Sequence, residues 1–293
     1  MARALIIGAS GTIGSRLVHE LDSGPDGLDL RVSSSRPEAV QRWRDEGRDS
    51  VLLDLDRPES FAEALTGVDR VFLLTGYSAS MLYQSKTLID AAADAGVEHL
   101  IHLGVYTSRR DLVPHYTWHD LIETYMAASG IAWTNLHPNS IIESTLDTTP
   151  PITDTGSFSV NHGEAPQGWV SADDIAAVAA MVLREGPERH GNSDYWLSAE
   201  ILTGPEVAEV LTHTLGTPIS CDVQQPSYLA EIVKTIPDAG TRLYLESGVE
   251  KMRRAVSGEL PGELTGRDDI EKVLGRPPMT IRTWAGKRLH PQP

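Results

Sequence analysis

Three glycines spaced as G-x-x-G-x-x-G (Gly8, Gly11 and Gly14) stand where the apolar run Ala4-Leu5-Ile6-Ile7 gives way to Ile13-Gly14-Ser15-Arg16-Leu17-Val18. The order predicts a buried first strand that turns directly into a first helix. In that setting each glycine has a separate use, since one permits the tight turn, one lets a pyrophosphate approach the backbone, and one lets the helix pack on the sheet. The N–H groups and positive end of the helix complete an anion site. Gly8, Ser10, Gly11, Thr12 and Ile13 are therefore the expected cofactor-binding residues of this loop. The competing reading is a glycine-rich turn of any α/β protein; the place directly after a buried strand favours the dinucleotide site.

Further strands are expected at Leu28 to Ser33, Val51 to Asp54, Arg70 to Thr75, Leu100 to Val105 and Trp133 to His137, with helical stretches between them. Short apolar runs alternating with helical patterns are what buried parallel strands and crossover helices require. One helix is predicted from Ser80 to Ala95, stopped by Gly96, and another starts at Pro58-Glu59-Ser60-Phe61 and ends near Gly67. Residues 1–140 thus read as a doubly wound Rossmann region. Residues 141–293 read as a smaller, irregular substrate-binding region, some segments of which return to the sheet. There a turn-rich passage covers Thr148 to Gly156, and helices are expected from Ile175 to about Arg184, from Gly204, across Ser227 to Ser257, and in the tail.

Composition narrows the partners. Forty-one acidic against 25 basic residues give a formal charge of −16, which repels nucleic acid and anionic lipid, and no local basic patch offsets it. The single cysteine, Cys221, excludes an internal disulfide and a cysteine zinc cluster and favours the reducing cytoplasm; a packed or surface thiol is the expectation there, not a nucleophile. No run of 18 apolar residues occurs, and the chain starts on a strand, so neither a membrane span nor a signal segment is expected. His99 and His102 lack the spacing of a metal site, and no metal is expected. No Gly-x-Ser-x-Gly elbow supports a hydrolase triad.

Set in order, Gly8-Ala-Ser-Gly-Thr-Ile-Gly14, Asp54-Leu-Asp-Arg-Pro-Glu-Ser60, Ala95-Gly-Val-Glu-His-Leu-Ile-His102, His119-Asp-Leu-Ile-Glu123 and Ser129-Gly-Ile-Ala-Trp-Thr-Asn-Leu-His-Pro138 form a series. It resembles the NmrA-like, atypical short-chain dehydrogenase/reductases. Val170-Ser-Ala-Asp-Asp-Ile-Ala176 and Gly275-Arg-Pro277 extend the resemblance over nearly the whole chain. It implies a Rossmann domain, a nicotinamide cofactor, and either reduction of quinones, dyes or similar aromatic acceptors or a non-catalytic redox-sensing role.

The second strand should end at the adenosine ribose, where an acid favours a free 2′-hydroxyl and a cation a 2′-phosphate. Here it ends in Val32-Ser-Ser34-Ser35-Arg36-Pro37, without a carboxylate. Arg36, with the hydroxyls of Ser34 and Ser35, favours NADP(H). The family's usual arginine falls one position earlier, at Ser35, so NAD(H) stays open. Asp54-Leu55 and Thr75-Gly76 match family positions beside the adenine and ribose.

The Tyr-x-x-x-Lys pair of short-chain enzymes is missing, and the only lysine before residue 200 is Lys86. His119 takes the lysine's place in the family pattern, as in the family's quinone and triphenylmethane-dye reductases, with Glu123 one helical turn later. His119 is the leading candidate for proton relay and for contact with the cofactor ribose, outside any apparent apolar stripe; the competing reading ties it structurally to Glu123. Tyr106 is the second catalytic candidate, Gly104 replaces the usual catalytic serine, and Asn139 is a candidate amide contact to the nicotinamide end. Trp118, Trp133, Trp169 and Tyr106 are candidate walls for an aromatic ligand, with strand-borne Trp133 expected in the core.

The leading expectation is an NAD(P)H-dependent oxidoreductase acting on a quinone-like or conjugated aromatic small molecule. A dinucleotide-sensing regulator and an oxidative or oxygenase-type tailoring enzyme are the alternatives. A homodimer is left open.

Overall fold

A computed structural model describes residues 1–25, 27–107 and 112–289. The strands are β1 (Ala2–Ile6), β2 (Leu28–Ser34), β3 (Ser50–Leu52), β4 (Arg70–Leu73), β5 (His99–Leu103), β6 (Ala132–Pro138), β7 (Ser140–Ile141), β8 (Ser157–Val160), β9 (Gln167–Val170), β10 (Ser193–Leu197), β11 (Glu200–Leu202) and β12 (Ser220–Val223). The helices that frame the site are α1 (Thr12–Ser23), α2 (Pro37–Asp45), α3 (Phe61–Leu65), α4 (Met81–Asp94) and α5 (Pro114–Ala128).

A seven-stranded sheet runs in the order β10-β6-β5-β4-β1-β2-β3, and the pairs β1·β2, β1·β4, β2·β3, β4·β5 and β5·β6 are parallel. Crossovers move outward in both directions from β1. The order therefore reverses between β1 and β4, the switch point at which doubly wound sheets open a crevice beyond their carboxyl ends. Ala4, Leu5 and Ile6 are all fully buried, as a strand covered on both faces requires.

The chain divides into two compact units. The first comprises Met1–Val105, Trp118–His137 and Ile175–Tyr195. One of its cores joins Leu5, Ile7, Val71 and Leu73 of the sheet region to Leu88 and Ile89 of α4 and Ile122 and Met126 of α5. The second comprises Tyr106–Thr117, Pro138–Asp174 and Trp196–Pro293. It contains a three-stranded sheet, β11-β9-β7, and the parallel pair β8·β12, over a core that includes Trp169, Leu211 and Trp284. These two small sheets are additions to the expected helices; the segment 227–257 is two helices, Pro226–Lys234 and Ala239–Val256. Among the described residues no helix is long and apolar enough to cross a membrane.

Candidate functional site

The glycine turn has the geometry its spacing predicts. Gly8 follows β1 with φ +71°, and a Cβ there would lie 2.8 Å from Leu74 Cδ2. The Gly11 N–H donates to the Gly8 carbonyl at 2.9 Å and closes the turn. A Cβ on Gly14 would come within 2.1 Å of that same carbonyl, so only glycine lets α1 begin this close to β1. Gly11 is the N-cap of α1 and has no side chain to fold back on the helix, so the first-turn N–H groups, those of Thr12 and Ile13 among them, are presented outward.

Beside this turn lies a cleft of about 370 Å³ in the first unit. Gly8 and Ser10 line it together with Ser34, Ser35 and Arg36 past β2, Asp54 and Leu55 past β3, and Gly76 past β4. Thr75, next to Gly76, is buried. The Arg36 guanidinium donates to Ser10 Oγ at 3.2 Å, and the Arg36 backbone N–H donates to Ser34 Oγ at 3.1 Å. Ser33, by contrast, turns inward and donates to the Ile6 carbonyl. The residues fit a dinucleotide, with a tight glycine turn, an uncapped helix start, and a β2 rim of one guanidinium and serine hydroxyls with no carboxylate.

Sequence reasoning missed Asp56, Tyr77, Ser78 and Gln84, which also line the cleft. Gln84 donates to Asp56 Oδ1 at 2.7 Å, and the Asp56 N–H donates to Asp54 Oδ1 at 3.0 Å, which fixes the rim past β3. The available signal was position. Tyr77 and Ser78 directly follow Thr75-Gly76 at the end of β4, on the side of the sheet where such crevices open.

His119 is 3 % exposed and lies on a buried stripe of α5 that continues through Ile122 and Met126. It is thus part of a core stripe after all, opposite Leu100 and His102, which alternation places on one face of β5. Its Nδ1 lies 2.9 Å from His102 Nε2, and its Nε2 lies 3.1 Å from the Tyr77 hydroxyl. His102 is wholly buried, which presses its pKa down to about 3, with the neighbouring His137 adding to the effect.

Glu123, one helical turn beyond His119, is buried as well. Its carboxylate approaches His137 Nδ1, at 3.6 Å, and occupies the space beside Gly104, where a Cβ would meet Oε1 at 2.8 Å. The missing serine at 104 therefore has a steric counterpart. His137 Nε2 meets Asp194 Oδ1 at 2.9 Å, its Nδ1 meets the Val105 carbonyl at 2.9 Å, and Asn135 donates to Asp194 at 2.9 Å. Burial opposes charge on His137, but the Asp194 hydrogen bond and the Glu123 and Asp194 carboxylates outweigh it and hold the pKa above the usual histidine value. Ligand atoms of Glu123, His137 and Asp194 lie within 4.8 Å of one another, a grouping the sequence did not reveal. Both ring nitrogens of His137 are engaged, and the two flanking carboxylates favour the charged form of the ring, as in an ion-pair network.

Tyr106 and Asn139 belong to the second unit. The Tyr106 hydroxyl donates to the Thr265 carbonyl at 2.8 Å, and burial pushes its pKa up. The Asn139 amide donates to the Glu263 carbonyl at 2.8 Å and its oxygen accepts from Ser140 N–H at 3.0 Å. Of the aromatic residues considered as ligand walls, Trp118 and Trp133 pack against the core of the first unit, and Trp169 is buried with its indole N–H on the Leu202 carbonyl. The half-buried Cys221 thiol is pushed up to about 11 by burial, which keeps it protonated and unreactive near neutrality.

The sequence pattern of the NmrA-like family matches residues 2–265. Among curated proteins, the chain is 29 % identical to the NAD(P)H azoreductase of Xenophilus azovorans, over 96 % of both chains. It is 26 % identical to the (4-alkanoyl-5-oxo-2,5-dihydrofuran-3-yl)methyl phosphate reductase of Streptomyces griseus, over 97 % of this chain and 96 % of that one. Among solved structures, the triphenylmethane reductase of Citrobacter sp. complexed with NADP(H) superposes with a TM-score of 0.81 at 21 % identity, covering 98 % of this chain and 99 % of that one. The Escherichia coli NADPH-dependent quinone oxidoreductase complexed with NADPH gives the same TM-score, 0.81, identity, 21 %, and coverage, 98 % and 99 %. NmrA, a negative transcriptional regulator in complex with NADP, superposes at 0.74 with 16 % identity over 98 % and 95 %.

Proposed function

Since the chain belongs to the NmrA-like family, we propose that it is an NAD(P)H-dependent oxidoreductase that reduces a quinone-like or other conjugated aromatic small molecule. The observation that carries this reading is the Gly8–Gly14 turn opening on a cleft whose β2 rim bears Arg36 and serine hydroxyls. The turn would hold the pyrophosphate on backbone N–H groups. Arg36, already hydrogen-bonded to Ser10, would hold a 2′-phosphate, so NADP(H) is the preferred cofactor. When bound, reduced nicotinamide supplies a hydride.

The proton side of the reaction falls to this chain's own groups, and the sequence has no Tyr-x-x-x-Lys pattern to perform it. A conjugated acceptor demands little of that machinery, because charge arriving on it is already spread over the ring system. His119, an expected proton-handling residue, is joined to the cleft through Tyr77. The azoreductase and quinone and dye reductases among the similar proteins support this choice of acceptor.

The test is NADPH and NADH oxidation by the purified protein with a panel of quinones, azo dyes and triphenylmethane dyes, with and without oxygen. Saturable, oxygen-independent consumption of NADPH in excess of NADH is the expected result. Tight NADPH binding with no acceptor reduced would instead place the protein with the dinucleotide-binding regulators. Consumption only in the presence of oxygen would point to oxygenase-type tailoring.

A further inference from the structure

A line of three hydrogen-bonded side chains runs from the dinucleotide cleft into the core of the first unit. The Tyr77 hydroxyl is 3.1 Å from His119 Nε2, and His119 Nδ1 is 2.9 Å from His102 Nε2. Tyr77 lines the cleft, whereas His119 and His102 are 3 % and 0 % exposed.

Such a line can be polarised in two directions. If protons sit on both Nδ1 atoms, Tyr77 donates inward to His119, and His102 is left with a buried Nδ1–H. If they sit on both Nε2 atoms, each ring donates outward, and His102 Nδ1 is a lone pair. That Nδ1 has no hydrogen-bond partner among the described residues. A buried donor without an acceptor costs more than an unused lone pair, so the outward direction wins. Burial keeps His102 neutral, with a pKa of about 3, so a second proton does not restore the inward arrangement. His102 therefore donates to His119, His119 donates to the Tyr77 oxygen, and the Tyr77 hydrogen is turned away from the imidazole.

We propose that Tyr77 is the acid that protonates the substrate during reduction, held in its donating orientation by His119 and His102 as positioning residues. This rests on the reductase reading. With NAD(P)H as the reductant, hydride adds to the conjugated acceptor with its electron pair and leaves an anionic oxygen or nitrogen. The Tyr77 O–H bond breaks as that atom takes the proton. The phenolate keeps the hydrogen bond from His119 Nε2–H until water returns a proton, so neither histidine changes its net charge. A serine at 104 and a lysine at the position of His119 are then unnecessary, because the tyrosine comes from the end of β4 and its oxyanion is stabilised by an imidazole N–H.

Two measurements test this. The first uses the cofactor-free protein labelled with 15N in its imidazoles, with the His102 and His119 signals assigned from His102→Gln and His119→Asn proteins. Long-range 1H–15N spectra near neutral pH should show the Nε2–H tautomer for both; an Nδ1–H tautomer at His119 overturns the proposal, since Tyr77 would then point inward. The second compares Tyr77→Phe with the wild type, using NADPH and a naphthoquinone. We expect kcat to fall by about 10²–10⁴-fold, the range typical of general acid catalysis, with NADPH affinity by calorimetry unchanged. His102→Gln should lower kcat with KM nearly unchanged. Wild-type turnover with an undiminished Tyr77→Phe protein sinks the role of Tyr77 alone. Failure of the wild type to reduce any acceptor sinks the reductase reading and the proton-delivery role with it, whatever the tautomers show.

Discussion

Arg36 separates the two nicotinamide cofactors at the scale of one residue. Its guanidinium reaches Ser10 across the cleft rim, and the residue is exposed. Losing a charge-assisted contact to a 2′-phosphate removes about 1.5–3 kcal/mol, roughly ten- to a hundredfold in affinity. Calorimetry on Arg36→Ala should show that loss for NADPH and an unchanged value for NADH; equal losses would refute the clamp. Family position singled out His119 as a candidate, yet the partners it has in the structure were not legible. Helical spacing brings Glu123 within one turn, and spacing alone cannot tell which of two buried polar groups faces the strand and which faces a neighbouring histidine. His119 looks down on His102, while Glu123 fills the gap beside Gly104. The Glu123-His137-Asp194 network joins α5, β6 and β10, and its members are 14 and 57 residues apart along the chain, beyond the reach of any local pattern.

At the scale of elements, the passage from β1 to α1 holds the phosphate site, and Gly11 and Gly14 fail differently when changed. A Cβ at Gly14 strikes backbone at 2.1 Å, which pushes the helix off the sheet, whereas at Gly11 the nearest contact is 3.3 Å. Gly11→Asp should therefore fold normally, with an unchanged circular dichroism spectrum and melting temperature, while its carboxylate repels the pyrophosphate and abolishes NADPH binding by calorimetry. Normal NADPH affinity in a folded Gly11→Asp protein would remove the phosphate site from this loop. The first six strands were legible as short runs punctuated by turns and helical stretches, most plainly β4 and β5, which are almost wholly buried, and the structure shifts their ends by only a few residues. β11 was hidden because its residues are only half-buried and lack alternation. The alternation in β8 and β12 was available in the sequence, with Phe158 and Val160 set against Cys221 and Val223.

Across the whole molecule, buried histidines set the response to acid. Burial holds His99, His115 and His162 at about 4 and His102 at about 3, against about 6.5 in an unfolded chain. Below that value the unfolded chain binds protons that the folded chain refuses. The stability is thus present above pH 6.5 and is lost as pH falls toward 4, by at most about 1.4 kcal/mol per histidine per pH unit. His137 runs the other way: its raised pKa adds stability that is fully present below 6.5 and is lost as pH rises through its folded value. Four groups oppose one, so calorimetric melting temperatures should fall steadily from pH 7 to pH 5, and a flat profile would show that these histidines take up protons while folded.

Hydride transfer from a dinucleotide held at the switch point of the sheet can be followed in a single-turnover experiment. The protein is loaded with one equivalent of NADPH carrying deuterium at the transferring position, then mixed without oxygen with a naphthoquinone. Loss of the reduced-nicotinamide absorbance should match formation of the hydroquinone one for one, and deuterium should slow the step relative to unlabelled NADPH. Bound NADPH that persists through the mixing, with the quinone and every dye unreduced, would contradict it.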